Sequence, residues 1–155
     1  MPLALYWAEE MAALGAPSVW IGEGVASSSL ISPRQYEEFV LPYEQRVATR
    51  LRELGVPSVL HICGKATRML ESMARSGCDC FEADWQVDLT EAKATIGGRM
   101  SIKGNLHTTA LVHDEPQKVF EAARDAIQKA KSGGGFILSS GCALGRDTPP
   151  ANVGA

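Results

Sequence analysis

Short apolar runs alternate along the chain with longer segments of helical period. Residues 18–23 (SVWIGE), 57–63 (PSVLHIC), 78–84 (CDCFEAD) and 99–105 (RMSIKGN) each read as a strand, and FILSSGC opens a fifth after Gly133-Gly134-Gly135. Between them, 33–54 is helical but broken or kinked near Pro42, which lacks an N–H and crowds the preceding turn. A helix is expected over 65–76, with Met69, Leu70 and Met73 on one side, and a short one capped by Thr90. The clearest helix spans 115–131, where Val119, Phe120, Ala123, Ile127 and Ala130 recur at helical spacing. The opening MPLALYWAEEMAALG is apolar but has no positive leading segment and carries Glu9 and Glu10. It reads as an amphipathic helix rather than a signal peptide.

Strand–helix alternation of this kind implies an α/β fold, a parallel sheet with helical crossovers. About five strands do not close a (β/α)8 TIM barrel, which needs eight. The carboxyl end, DTPPANVGA, would open another helix that does not run. The expectation is therefore a single domain over 1–155 that is a partial TIM barrel. It reads as truncated at both ends, or as completed by association, for example in a homodimer.

Residues two apart on a strand share a face. Val59, His61 and Cys63 then lie opposite Leu60 and Ile62; Cys80, Glu82 and Asp84 opposite Phe81 and Ala83; Ser101, Lys103 and Asn105 opposite Met100 and Ile102. One face is apolar, toward helices, and the other polar, toward the barrel interior. Polar groups late in parallel strands sit at the carboxyl edge, where α/β folds bind ligands. Glu23 and Cys142 hold the equivalent late positions on the first and fifth strands.

Composition narrows the function classes. The chain of 155 residues is 45% hydrophobic and 21% charged with a net charge of −3, and has no basic patch of the kind that binds nucleic acid. No stretch approaches the roughly 20 apolar residues of a membrane span. Four cysteines (Cys63, Cys78, Cys80, Cys142) without a secretion signal argue for thiols rather than disulfides, and for a cytoplasmic protein.

His61, Cys63 and Cys142 can converge from two strand ends, and one imidazole with two thiolates is a donor set that Zn²⁺ favours. Three protein ligands leave a fourth position open, as in catalytic zinc sites; Asp84, or Glu82, would supply an oxygen there. A satisfied core histidine beside inert cysteines fits the same spacing. Cys78 and Cys80 read as buried structural thiols. Asn105 and Glu23 read as substrate-orienting or as strand ends, Lys103 as an ion-pair partner of Glu82 or Asp84 in preference to a contact for an anionic substrate group such as a sulfonate, and His107 and His113 as surface residues. SGGGF precedes a strand, so it lacks the helix N-terminus that a phosphate loop needs.

Several stretches, in order, resemble the uroporphyrinogen decarboxylase superfamily: ISPRQYEEFVLPY (31–43), LHICG (60–64), SGCDCFEADWQVDLTEAKATIG (76–97), KGNL (103–106) and LSSGCALGRDTPPANV (138–153). The resemblance implies the carboxyl-terminal part of that superfamily's (β/α)8 barrel. Its decarboxylases use no metal and take their tetrapyrrole-handling residues largely from the amino-terminal half. His-x-Cys-Gly with a later Gly-Cys is similar instead to the zinc-dependent corrinoid methyltransferases, such as the methylcobamide:coenzyme M enzymes. That branch implies Zn²⁺ on His61, Cys63 and Cys142, with Asp84 filling the fourth site when no thiol is bound. It also implies methyl transfer between a corrinoid such as methylcobalamin, carried by a partner protein, and a small thiol. A methoxy- or methylamine-type demethylase, a decarboxylase and a non-catalytic barrel fragment are the other expectations the resemblance allows.

Overall fold

The computed structural model describes residues 2–155. Five parallel strands lie in the order of the sequence: β1 (Val19–Gly22), β2 (Ser58–Ile62), β3 (Cys80–Ala83), β4 (Ser101–Leu106) and β5 (Phe136–Ser140). Each strand is joined to the next by a connection that carries helix, the βα repeat of part of a (β/α)8 barrel. The register aligns Gly22 with His61, His61 with Glu82, and Glu82 with Lys103. In-register residues of parallel strands point to the same side, so the polar positions form one row across the sheet.

The other face builds the core. Leu60, Ile62, Phe81, Ala83 and Ile102 are fully buried with Met69, Leu70, Met73 and Ile96 from the helical layer. The helical region after β1 divides at Val40 into α2 (Pro33–Phe39) and α3 (Leu41–Glu53). Pro42 sits in the first turn of α3, where its missing N–H costs nothing. Ser32 opens α2 through a reciprocal capping box with Gln35.

Several sequence expectations are corrected here. The helix expected over 65–76 is a 3₁₀ turn, Thr67–Met69, followed by a single α turn, α4 (Leu70–Met73), although Met69, Leu70 and Met73 do share the buried side. The next helix, α5 (Leu89–Ile96), is capped by Asp88, whose carboxylate accepts the Glu91 N–H at 2.9 Å; Thr90 lies inside it. Cys78 precedes β3 rather than opening it, but is buried as expected. A short α6 (Thr108–His113) comes before α7 (Pro116–Ala130). On α7 the buried positions are Val119, Ala126 and Ala130, while Phe120 and Ile127 are exposed. This helix packs close to β4, β5 and α5, and small side chains suit that approach. The Pro-Pro segment does open a helix, the one-turn α8 (Pro150–Val153).

The amino-terminal helix α1 (Pro2–Ala13) packs on α3. It is not cleanly amphipathic: only Ala8 is buried, and Leu3, Tyr6, Trp7 and Met11 are exposed. Among the described residues no helix is long and apolar enough to cross a membrane.

Candidate metal centre

Period-two alternation puts His61 on the polar face of β2, and Cys63 follows one residue past the strand end. The ring of His61 is buried (1% exposed), with Nε2 lying 3.1 Å from Cys63 Sγ. Cys142 comes from the far side of the sheet, two residues after β5. Its Sγ lies 4.0 Å from Cys63 Sγ and 3.6 Å from His61 Nε2. All three donor atoms fall within 4.8 Å of one another.

Gly141 makes this convergence possible. Its N–H donates to the Leu106 carbonyl at 2.7 Å, and a Cβ there would meet the Trp85 backbone nitrogen at 2.5 Å. Only glycine lets the end of β5 approach the loop after β3 so closely. A Gly141→Ala protein is expected to lose on the order of 1–2 kcal/mol of stability by overpacking. It is also expected to bind metal more weakly, because the backbone shift carries Cys142 away from Cys63. Thermal melting read beside a zinc titration checks both effects, and unchanged zinc affinity would show that the close approach is not required.

The donor set fits a tetrahedral zinc ion. With Zn–S near 2.3 Å and Zn–N near 2.0–2.1 Å, tetrahedral angles put two sulfurs about 3.8 Å apart and each sulfur about 3.6 Å from the nitrogen. The observed 4.0 and 3.6 Å lie close to those values, and only the 3.1 Å contact is tighter. The tautomer also fits. His61 Nδ1 lies 3.0 Å from the backbone oxygen of Glu82, which can only accept, so Nδ1 carries the proton and the Nε2 lone pair faces the sulfurs.

Electrostatics point the same way. The Cys63 thiol is pushed above its ordinary pKa, first by burial and then by the neighbouring Cys142, Asp84 and Glu82. Anionic surroundings that disfavour a bare thiolate favour a dication bound to it. Cys78 and Cys80 stand apart as buried thiols, with burial pushing Cys80 up to about 11.

The remaining candidates separate. Asp84 is buried beside the trio but outside the close group, and its Oδ1 accepts the Gln86 N–H at 3.0 Å. Glu82 pairs with Lys103, the ion pair preferred from sequence. Asn105 Nδ2 donates to the Asp84 and Val87 carbonyls at 3.1 and 2.7 Å, tying down the loop after β3. Glu23 lines a 770 Å³ cavity beside β1, with Trp7, Trp20, Phe39, Tyr43 and Glu44, and burial raises its pKa. His113 is exposed as expected. His107 lies at the surface but half-buried; it caps α6 by accepting the Thr109 N–H at 3.1 Å and stacks on Trp85 with ring centroids 3.9 Å apart.

Sequence reasoning missed Trp20. It lies on the polar face of β1, stacks on His61 with ring centroids 5.5 Å apart, and donates from Nε1 to Glu82 Oε2 at 2.7 Å. The available signal was a large aromatic residue breaking the polar row, two positions before Gly22.

Residues 4–155 match the protein-family model described as uroporphyrinogen decarboxylase (URO-D). The chain is 37% identical over 145 residues to a methylated-thiol–coenzyme M methyltransferase of Methanosarcina mazei, covering 93% of this chain and 37% of that protein. It is 34% identical over 147 residues to the methylcobamide:CoM methyltransferase MtbA of the same organism, covering 95% and 42%. Uroporphyrinogen decarboxylases are also among the relatives. A solved methyltransferase from M. mazei superposes with a TM-score of 0.87 at 28% identity, over 97% of this chain and 43% of that one. The chain thus spans about two fifths of the length of these methyltransferases.

Proposed function

Since the chain belongs to the uroporphyrinogen decarboxylase family, we propose that it carries the zinc centre of a methyltransferase acting between a corrinoid and a thiol. The observation that carries this reading is the convergence of His61 Nε2, Cys63 Sγ and Cys142 Sγ at zinc-ligand spacing. Relatives whose names specify methylated thiols, methylcobamide and coenzyme M support it.

His61, Cys63 and Cys142 would hold the ion, leaving one coordination position for substrate, which Asp84 would fill when no thiol is present. Zinc bound there supplies a Lewis acid that keeps a thiol deprotonated at neutral pH. The residues of the chain do the rest. Two anionic cysteines keep the centre electron-rich, so a thiol held beside it retains its nucleophilicity. The loop after β3, fixed by Asn105, walls one side of the centre. The thiol sulfur attacks the methyl carbon of a methylcorrinoid held by a partner protein; the S–C bond forms as the Co–C bond breaks heterolytically, its electron pair leaving on cobalt as the Co(I) corrinoid, and the thiol proton leaves to solvent.

The test supplies zinc-loaded protein with methylcobalamin and coenzyme M. The expected result is loss of the methylcobalamin spectrum and formation of methylated thiol, both abolished by a chelator. No transfer to any small thiol by protein that holds its zinc would sink the reading. Decarboxylation is the second reading, favoured by the family model and by the decarboxylase relatives. It is measured as CO₂ release from uroporphyrinogen.

A further inference from the structure

Three side chains from different strands bear on His61, two in contact with it and the third through Glu82. Glu82 on β3 presents two acceptors to His61 Nδ1, its backbone oxygen at 3.0 Å and its Oε2 at 3.3 Å. The carboxylate is itself held at both oxygens. Trp20 on β1 donates from Nε1 to Oε2 at 2.7 Å, and Lys103 on β4 donates from Nζ to Oε1. The Trp20 ring lies over the imidazole, with an interplanar angle of 24°. The strand register makes this possible by setting His61, Glu82 and Lys103 side by side in one row.

A half-buried Glu–Lys pair is a costly way to fill space inside a barrel. Both ions lose water, and an apolar pair of similar volume packs as well or better. The cost is understandable if the carboxylate serves a third group. Here that group is the imidazole, whose far nitrogen faces the two thiols at 3.1 and 3.6 Å. A carboxylate on the outer nitrogen of a metal-ligating histidine fixes its tautomer and ring plane and raises its basicity.

We infer that Trp20, Glu82 and Lys103 form a positioning set for His61, locking Nε2 onto the metal and strengthening it as a donor. This rests on the metal-centre reading above and adds residues that the ligand set does not include. Glu82 is accordingly an outer partner of the ion rather than its fourth ligand. Trp20 and Lys103 act through Glu82: one holds the oxygen nearer the imidazole, the other the oxygen away from it.

The experiment measures zinc affinity by competition with a chromogenic chelator, and the visible spectrum of the cobalt-substituted protein. It compares the unaltered chain with Glu82→Gln, Lys103→Met and Trp20→Phe, and follows metal-free melting in parallel. Glu82→Gln is expected to weaken zinc binding by about 10–100-fold and to shift the cobalt ligand-field bands. Its metal-free melting should fall by no more than that of Lys103→Met, which breaks the same ion pair. Lys103→Met and Trp20→Phe should change affinity in the same direction by less, because each frees one carboxylate oxygen only. Unchanged affinity and spectrum in Glu82→Gln would overturn the inference, leaving the backbone carbonyl as sufficient to orient the ring. A weaker affinity matched by an equal loss of metal-free stability, with the cobalt bands unmoved, would overturn it too, as a general packing effect. If the unaltered chain binds neither zinc nor cobalt, the metal centre itself fails, and the inference with it.

Discussion

Cys63→Ser protein, loaded with zinc and dialysed, is expected to retain almost no metal where the unaltered chain retains about one ion. Serine keeps the size of the side chain, but its hydroxyl does not ionise near neutrality and is a poor zinc ligand beside a thiolate. The loss should exceed the 10–100-fold typical of an outer partner, because a bond to the ion is removed. His61→Ala and Cys142→Ala should behave alike, since each donor atom lies within 4.8 Å of the other two. Cys78→Ser and Cys80→Ser serve as controls. Both thiols are buried outside the trio, so these variants should keep full metal and differ only in stability. Elemental analysis decides the matter: full zinc in Cys63→Ser would remove that residue from the ligand set.

Glu44→Gln is expected to stabilise the protein by about 3 kcal/mol at pH 8 and by almost nothing at pH 4. Glu44 is 1% exposed; its Oε2 accepts the Tyr36 hydroxyl while its Oε1 has no partner. Burial raises its pKa from 4.5 to about 7, against the lowering effect of the Tyr36 bond and with a smaller push from Glu23. The folded chain therefore holds this proton more tightly than the unfolded one. Below pH 4.5 the carboxyl is protonated in both states and carries no penalty. As pH climbs toward 7 the unfolded chain ionises first and stability falls. Above about pH 8 the penalty is complete and constant. The amide keeps the shape without the charge, so the difference between variant and parent should open across that window. For a chain of this length it should reach roughly 6–12 °C in melting temperature at pH 8. Melting curves at pH 4, 6 and 8 provide the check. A difference independent of pH would mean that the Glu44 proton does not control it.

How far the site was readable from sequence varies by residue. Two-residue alternation placed His61 and Cys63 on one face and assigned Phe81, Ala83 and Ile102 to the core, but the choice of a metal set over a core histidine leaned on the family resemblance. Cys142 was legible as a late strand position, but its approach to Cys63 depends on the glycine before it. That steric condition exists only once β3 and β5 are both in place. Trp20 escaped because apolar character alone assigns tryptophan to a core, whereas its indole N–H made it part of the polar row. His107 was read only in part: its cap partner Thr109 is a near neighbour in sequence, but its stack on Trp85 in the loop after β3 exists only once β3 and β4 are paired. Thr90 and Asp88 are both good helix openers, and the choice depended on backbone angles that propensity does not encode. On α7, helical spacing named the period correctly but did not say which stripe would meet the sheet.

With the strands ordered as in the sequence, β1 and β5 are hydrogen-bonded to a neighbouring strand on one side only among the described residues. Amides on such margins open more readily than those of interior strands and exchange with deuterium sooner. The candidate centre draws its imidazole from the protected β2, but its stacking indole from one margin and its second thiol from just beyond the other. Its members thus span the described sheet from β1 to the segment after β5. An ion held there would tie the segment beyond β5 to β2, three strands away, and slow exchange across the described sheet.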